Sequence, residues 1–242
     1  MTGPIRMQHW KRWLAVGVAA AAIAVVGGPY VFINFVEGSA PASLALTTPS
    51  ATSSTAGTTG SGSGQASVAA DGTWNIATGS IVGYRVNEVL FGQSHAAVGR
   101  TSSISGSMMV SGTTVTEASF TVDMTSVTSD QSRRDGQFNG RIMDTATYPT
   151  ATFTLSQPID LGSIPADGVQ RSFKATGTLT LHGVTKTVTF TVTGQDTGSI
   201  VQVAGSIPIT FADWNIPNPS FGPVTTEDHG EFEFLVVFQK SA

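Results

Sequence analysis

Three consecutive charged side chains, Arg133, Arg134 and Asp135, are the group in this sequence that most resembles a ligand-binding site. An arginine carries a planar fork of donors that binds a phosphate or carboxylate through charge-assisted hydrogen bonds. Arg134 is therefore a candidate contact for the polar head group of a ligand. The alternative is a local ion pair that fixes a short helix to the rest of the domain, and the adjacent opposite charges favour it.

The four histidines, His9, His95, His182 and His229, lack the spacing of a metal site, such as two histidines four residues apart on a helix. The run 227–229 (Glu-Asp-His) offers three ligand types, but a solvated acidic loop is the simpler interpretation. The sequence has no cysteine and no Gly-x-Ser-x-Gly segment. We therefore predict no catalytic residue, metal ligand or cofactor. A hydrolase would need a buried histidine–carboxylate pair beside a serine in a pocket.

The composition indicates an all-β protein. Only 12% of the 242 residues are charged. Glycine, serine, threonine and valine dominate, and β-branched and turn-forming residues favour strands joined by tight turns. From residue 71 onward nine basic and fifteen acidic side chains leave a net charge of −6. An acidic domain without basic clusters is a poor partner for nucleic acid.

The N-terminal segment has the pattern of a membrane anchor. Residues 13–33 contain no charged side chain, and about 20 apolar residues span a bilayer as a helix. Arg6, Lys11 and Arg12 precede the run, which by the positive-inside rule predicts a cytoplasmic tail over 1–12, an anchor over 13–36 and an extracytoplasmic remainder. The alternative is a secreted protein cleaved near Ala42, after an Ala-Pro-Ala signal.

The next segment, 37–70, is rich in serine, threonine, glycine, alanine and proline and nearly uncharged. Such a composition predicts a flexible linker, because it cannot bury enough apolar surface to fold. The linker leads to a single predicted domain over 71–242.

This domain shows many alternating segments. Phe120 and Val122 alternate with Ser119, Thr121 and Asp123, and Leu179 and Leu181 alternate with threonines. Turn signals at 111–113, 182–183 and 194–196 separate such segments. About eight strands, each with one apolar face, predict an antiparallel up-and-down barrel, with a β-sandwich as the alternative.

The stretch 129–155 interrupts this alternation. Ser129 or Asp130 can cap one short helix, and Asn139-Gly140 can end it. The pair Tyr148-Pro149 predicts an extended corner, because the residue before a proline avoids the helical region. We expect the helix to pack across the mouth or side of the barrel.

The apolar positions on one face of each strand predict the lining of the barrel interior. The predicted lipid-binding residues are Phe120, Val122, Phe138, Phe153, Leu155, Leu179, Leu181, Phe190, Val192, Phe211, Phe232 and Phe234. An eight-stranded barrel either fills its interior with side chains or holds one small ligand, and the residues alone leave both open. Trp214 opens a proline-rich segment that is a candidate lid.

Three runs resemble the YceI-like family of lipid-binding proteins. The first covers 80–89 and 98–106. The second places Arg134-Asp135, Phe138 and Tyr148-Pro149 in the family's order. The third, 177–186 (GTLTLHGVTK), is similar to the family's G-x-L-T-I-H-G-V-T-K signature almost residue for residue. Together the runs extend the resemblance over most of 71–240.

The resemblance implies an extended lipocalin-like barrel that carries a polyisoprenoid or other long amphiphile. It implies no catalytic residue, and it is compatible with a homodimer. The sequence departs from the family at Asn87 or Glu88, where many members carry a histidine, and at 211–215 (FADWN), which lacks the usual arginine and glycine. We therefore expect extracytoplasmic storage, transport or shielding of a long-chain lipid. The alternative is a cell-envelope interaction module with a packed barrel.

Overall fold

Alternating apolar and threonine-rich positions give strands that bend around a single interior. The computed structural model describes residues 40–46, 70–90, 92–165, 168–222 and 224–241. In these ranges thirteen strands form one antiparallel sheet. The strands are β1 (Gly72–Ile76), β2 (Ile81–Leu90), β3 (Gln93–Thr101), β4 (Ile104–Ser111), β5 (Thr114–Asp123), β6 (Thr128–Ser129), β7 (Thr150–Leu155), β8 (Ile159–Asp160), β9 (Gln170–Leu181), β10 (Val184–Asp196), β11 (Ile200–Thr210), β12 (Val224–Thr226) and β13 (His229–Lys240).

Eight of these strands close a ring. The order is β1-β4-β5-β7-β9-β10-β11-β13, and β13 pairs again with β1. At the other end β13 continues against β2, which pairs with β3. The predicted all-β, antiparallel up-and-down barrel of about eight strands is thus confirmed, and the β-sandwich alternative is wrong.

The β9–β10 hairpin shows why this sequence forms a barrel wall. Outward-facing threonine hydroxyls pair across the two strands, at 3.0 Å between Thr176 and Thr189 and 2.9 Å between Thr180 and Thr185. His182 and Gly183 both have positive φ, 48° and 72°, as a type I′ hairpin turn requires. The hairpin predicted there is confirmed.

The turn predicted at 194–196 is wrong. Strand β10 runs to Asp196, and the chain reverses over 197–199, where Gly198 has φ 82°. The Asp196 carboxylate accepts a hydrogen bond from the Gly198 backbone at 2.7 Å. Gly194, Gln195 and Asp196 therefore continue the antiparallel pairing with β11 instead of forming the turn.

One short α-helix, α1 (Ser132–Gln137), lies between β6 and β7 and runs into a π-helical turn, Phe138–Ile142. The helix was predicted, but its ends differ. The N-cap is Gln131, and the helical segment passes through Asn139-Gly140 to Ile142, with Met143 as the C-cap. Neither predicted cap serves, because the Ser129 hydroxyl donates to the Asp135 carboxylate at 2.6 Å and Asp130 pairs with Arg134.

The tyrosine–proline corner packs on the hairpin turn. A Cβ atom on Gly183 would lie 2.5 Å from the Tyr148 ring, and the Tyr148 and His182 ring centroids are 4.7 Å apart. The Pro149 carbonyl accepts a hydrogen bond from Met124 at 2.8 Å. Two separate sequence motifs thus meet at one end of the barrel, called here the helix end; the opposite end is called the far end.

The predicted cytoplasmic tail and membrane anchor, 1–12 and 13–36, lie outside the described residues, as does most of the predicted linker. None of the helices within the described ranges is long and apolar enough to cross a bilayer.

Candidate functional site

Five phenylalanine rings meet across the middle of the barrel and are called here the aromatic partition: Phe120, Phe153, Phe190, Phe232 and Phe234. The centroid distances are 5.3 Å for Phe120–Phe153, 5.5 Å for Phe153–Phe190, 5.9 Å for Phe190–Phe234, and 6.0 Å for Phe120–Phe234. Phe232 joins at 6.4 Å from Phe120. Rings at these separations are in contact. Because they project from β5, β7, β10 and β13, they meet from different sides of the tube.

Glycines on the intervening strands make room for these rings. A Cβ atom on Gly177, in β9, would lie 2.3 Å from Phe153, and one on Gly205, in β11, would lie 2.6 Å from Phe234. From β7 to β13, strands that carry a phenylalanine at this level therefore alternate with strands that carry a glycine. The alternation fixes the rings close to the neighbouring backbone.

A cavity opens from the far end; together with the open solvent at its mouth it takes up about 1150 Å³ of space free of protein atoms. We call it the far-end cavity. Its lining is almost wholly hydrocarbon. It includes Trp74, Met108, Val115, Phe173, Val192 and Val203. At its mouth Ile164 is 39% exposed.

A second cavity, the helix-end cavity, takes up about 1660 Å³ together with the open solvent at its mouth. Its apolar lining includes Val86, Leu90, Ile142, Leu181 and Phe211. Its polar lining includes Glu88, Gln131, Arg133, Arg134, Gln137 and Glu231. This end of the barrel can therefore hold an apolar chain and also form hydrogen bonds to a polar group.

Helix α1 positions the arginines. The Asp135 carboxylate accepts hydrogen bonds from the backbone and hydroxyl of Ser129 at 2.8 and 2.6 Å, which attaches the helix to β6. Arg134 Nη2 then lies 3.5 Å from Glu88 Oε1, and Nη1 pairs with Asp130. The ion-pair alternative is therefore present in the structure, although Arg134 also lines the cavity.

Tyr84 forms part of the wall beside the helix. Its ring stacks on Phe138 with centroids 4.9 Å apart, and a Cβ atom on Gly99 would lie 2.3 Å from it. Burial raises the pKa of the Tyr84 phenol, with Arg134 opposing and nearby carboxylates adding to the shift. Tyr84 therefore stays protonated and can act as a hydrogen-bond donor.

The outer wall carries a buried charge cluster that the sequence did not reveal. Glu233 is only 2% exposed. Arg85 Nε lies 3.3 Å from its Oε2, and Arg100 Nη2 lies 2.9 Å from its Oε1. The register pairs Glu233 with Gly83 and Gly83 with Arg100, so a residue without a side chain lets the two charges meet across β2.

Residues 40–46, called here the strap, cover this cluster. The carbonyls of Pro41 and Ala42 accept hydrogen bonds from Arg85 (2.6 Å) and Arg100, and the Leu44 backbone donates to Glu233 at 3.3 Å. Residues 40–46 of the predicted linker thus lie on the barrel wall. The only sequence feature that predicted these charges on the outer face was the strand alternation, with Arg85 next to Val86 and Glu233 next to Phe234.

The predicted lining residues divide between the two cavities. Phe120, Phe153, Leu155, Phe190, Val192 and Phe234 line the far-end cavity. Phe138, Leu181, Phe211 and Phe232 line the helix-end cavity. Val122 and Leu179 are fully buried in the core and line neither cavity. The role of all these predicted lining residues in lipid binding remains a prediction.

Trp214, the candidate lid, is 2% exposed, in a 3-10 helix, Phe211–Trp214. Its carbonyl lies 3.1 Å from His182 Nδ1. The segment after it, and not Trp214 itself, reaches the helix-end cavity through Ile216, Pro219 and Phe221.

The structure gives the acidic loop no metal-binding geometry. His229 Nδ1 lies 2.8 Å from Asp228, and Nε2 lies 3.4 Å from Glu227, with all three side chains exposed. Among the described residues no group of three or more histidine, cysteine, aspartate or glutamate side chains is arranged to hold a metal ion. The short distances are therefore those of surface ion pairs.

Known proteins share sequence or fold with this chain. The family model described as a YceI-like domain matches residues 74–238. Over 103 residues the chain is 36% identical to a UPF0312 protein of Vibrio vulnificus (strain YJ016) and 35% identical to one of Vibrio parahaemolyticus; each alignment covers 40% of this chain and 51% of the relative. The chain thus spans about half the length of these curated relatives.

A solved structure described as a polyisoprenoid binding domain from Saccharophagus degradans, implicated in plant cell wall breakdown, has the same fold. The TM-score is 0.57 at 22% identity, over 70% of this chain and 98% of that one.

Proposed function

The chain belongs to the YceI-like domain family, and from this premise we propose that it binds a long-chain isoprenoid or similar amphiphilic lipid inside its barrel. The observation that carries the proposal is the helix-end cavity, where an apolar tube opens beside Arg133, Arg134 and Gln131. An amphiphile needs both kinds of surface. The polyisoprenoid ligand class in the description of the S. degradans domain supports this choice.

The driving force is transfer of apolar surface out of water, about 0.8 kcal/mol for each buried methylene. A long chain therefore binds tightly with few polar contacts. Nothing in this mechanism requires a reaction, and storage, transport or shielding of the lipid would each use it. We propose a binding protein, not an enzyme.

We further propose that residues 13–36 hold the protein in the cell membrane with the barrel on the extracytoplasmic side. The charge pattern of 1–36 supports this location. Alkaline phosphatase fused after residue 242 should be active in the native host, because it folds only after export. An inactive but intact fusion would contradict the location without bearing on lipid binding.

The aromatic partition favours a second candidate, an envelope interaction module with a packed barrel. The two candidates differ in what the purified protein carries. The full chain, isolated from its own host in a mild detergent, should yield an isoprenoid or fatty species by mass spectrometry of its extract. No lipid, together with no uptake of added long-chain alcohols, would favour the interaction module.

A further inference from the structure

The two cavities do not form one tube. Every residue that lines the far-end cavity is absent from the lining of the helix-end cavity. Phe234 belongs to the first and Phe232 to the second, although they are two residues apart on β13. The aromatic partition is the wall between them.

The partition is too tight for a chain to pass. Its rings contact one another at centroid distances of 5.3 to 6.4 Å. Phe153, Phe190 and Phe234 are 4%, 7% and 4% exposed. The first and last of these also rest on glycine backbone, at Gly177 and Gly205, so they have no room to move outward. Opening a passage would require several rings to leave their contacts together.

The far-end cavity suits a simple hydrocarbon chain. From Phe190 to Gln195 the wall is five residues deep, or roughly 13 Å for a strand tilted by about 40°. Two of its polar lining groups already have partners: Gln195 accepts from Gln170 at 3.1 Å, and Asp196 accepts from the Gly198 backbone at 2.7 Å. The site offers no free cation within the described residues that line it.

We propose that the barrel holds two lipid chains, one inserted from each end, instead of a single chain along its axis. The far-end cavity takes a medium-length alkyl chain tail first, with its head at the mouth near Ile164. The helix-end cavity takes the amphiphile whose polar head meets α1. The inference rests on the proposed function and adds the number of chains and the chemistry of the second site.

Stoichiometry tests the proposal on the unaltered protein. The full chain, freed of lipid in a mild detergent, is titrated with decanol and weighed by native mass spectrometry. Two molecules should bind for each barrel. After loading with the longer geranylgeraniol, the barrel should still take up one decanol. A single bound decanol, or its complete exclusion by one geranylgeraniol, would overturn the proposal while leaving lipid binding itself intact.

Two matched variants assign the molecules to their ends. Val192→Trp fills the far-end cavity, and Ile142→Trp fills the helix-end cavity; both original side chains are half-buried, cavity-lining residues. Each variant should lose one of the two bound decanol molecules, and the double variant both. Loss of both molecules from either folded single variant would show one continuous site. Failure of the unaltered chain to bind any alcohol would instead contradict the proposed function.

Discussion

The two ends of the barrel differ in how they treat charge. The far-end cavity is walled by hydrocarbon, whereas the helix-end cavity brings Arg134 within 3.5 Å of Glu88, which is 8% exposed. The strands follow one alternating pattern throughout. The difference comes mainly from the inserted segment between β5 and β7, since α1 supplies both arginines. The helix-end cavity therefore gains its polar site where α1 covers one mouth of the barrel and meets a carboxylate of the wall, Glu88 of β2.

We expect the largest effect at the aromatic partition, which separates the two ends of the barrel. We expect Phe190→Ala to lower the free energy of unfolding by about 3–5 kcal/mol, because a buried ring leaves a cavity behind. The Phe221→Ala control should cost under about 0.5 kcal/mol, since that ring is 54% exposed. Urea denaturation of both variants gives the two values. Equal stabilities would show that the rings at the centre are not packed as described.

Glycine at the level of the partition gives the next largest effect. Gly205→Ala places a methyl group 2.6 Å from the Phe234 ring. The overpacking should destabilise the fold by about 1–3 kcal/mol. At Gly136, in α1, a Cβ atom meets nothing within 4 Å. The same substitution there should stabilise by about 0.5–1 kcal/mol, as alanine favours helices. Thermal unfolding should thus shift in opposite directions.

The substitution Glu88→Gln tests the difference in charge between the two ends of the barrel. Removing this carboxylate leaves the Arg134 guanidinium with one paired carboxylate fewer in the helix-end cavity. Affinity for dodecyl phosphate should rise about tenfold, equivalent to about 1.4 kcal/mol, while affinity for dodecanol changes little. Glu117→Gln, on the exposed outer face of β5, is the matched control. Fluorescence competition measures both, and an equal gain for the alcohol would contradict the charge argument.

The acidic loop at the start of β13 should show the smallest effect. A hydrogen bond from His229 to Asp228 raises the pKa of the imidazole, and the same bond lowers the pKa of the Asp228 carboxyl. A raised histidine pKa stabilises the fold below the usual value of about 6.5 and loses that contribution as pH rises through the folded value.

Because both side chains are exposed, the change in stability should be near the limit of detection. An NMR titration of His229 should show the raised pKa, and Asp228→Asn should return it towards the ordinary value. No difference between the two titrations would show that the contact does not persist in solution.

Strand alternation predicted the wall well, because apolar side chains on β5, β9, β10 and β13 have only one interior to face. The His182-Gly183 turn was also predictable, because both residues tolerate positive φ. The ends of α1 were not, because the usual capping side chain, Ser129, is occupied by Asp135 six residues later. Local propensity carries no information about that competition.

The division of the interior was the main feature that the sequence did not reveal. The alternation predicts that Phe153 and Phe190 point into the barrel, but it does not predict their height along the barrel axis. That height depends on the register across β9 and on the missing side chain at Gly177. The Glu233 cluster was missed for a similar reason. Its partners are 133 and 148 residues away along the chain, and only the pairing through Gly83 brings them together.

The strap has a mechanical consequence. A force applied to the N-terminal side of residue 40 acts first on the bonds from Pro41, Ala42 and Leu44 to side chains of β2, β3 and β13. Three strands then share the load, in the region where β2 lies between its two neighbours. Without the strap the same tension would reach β1, whose three-residue pairing with β13 forms the seam of the ring and could open one pair at a time.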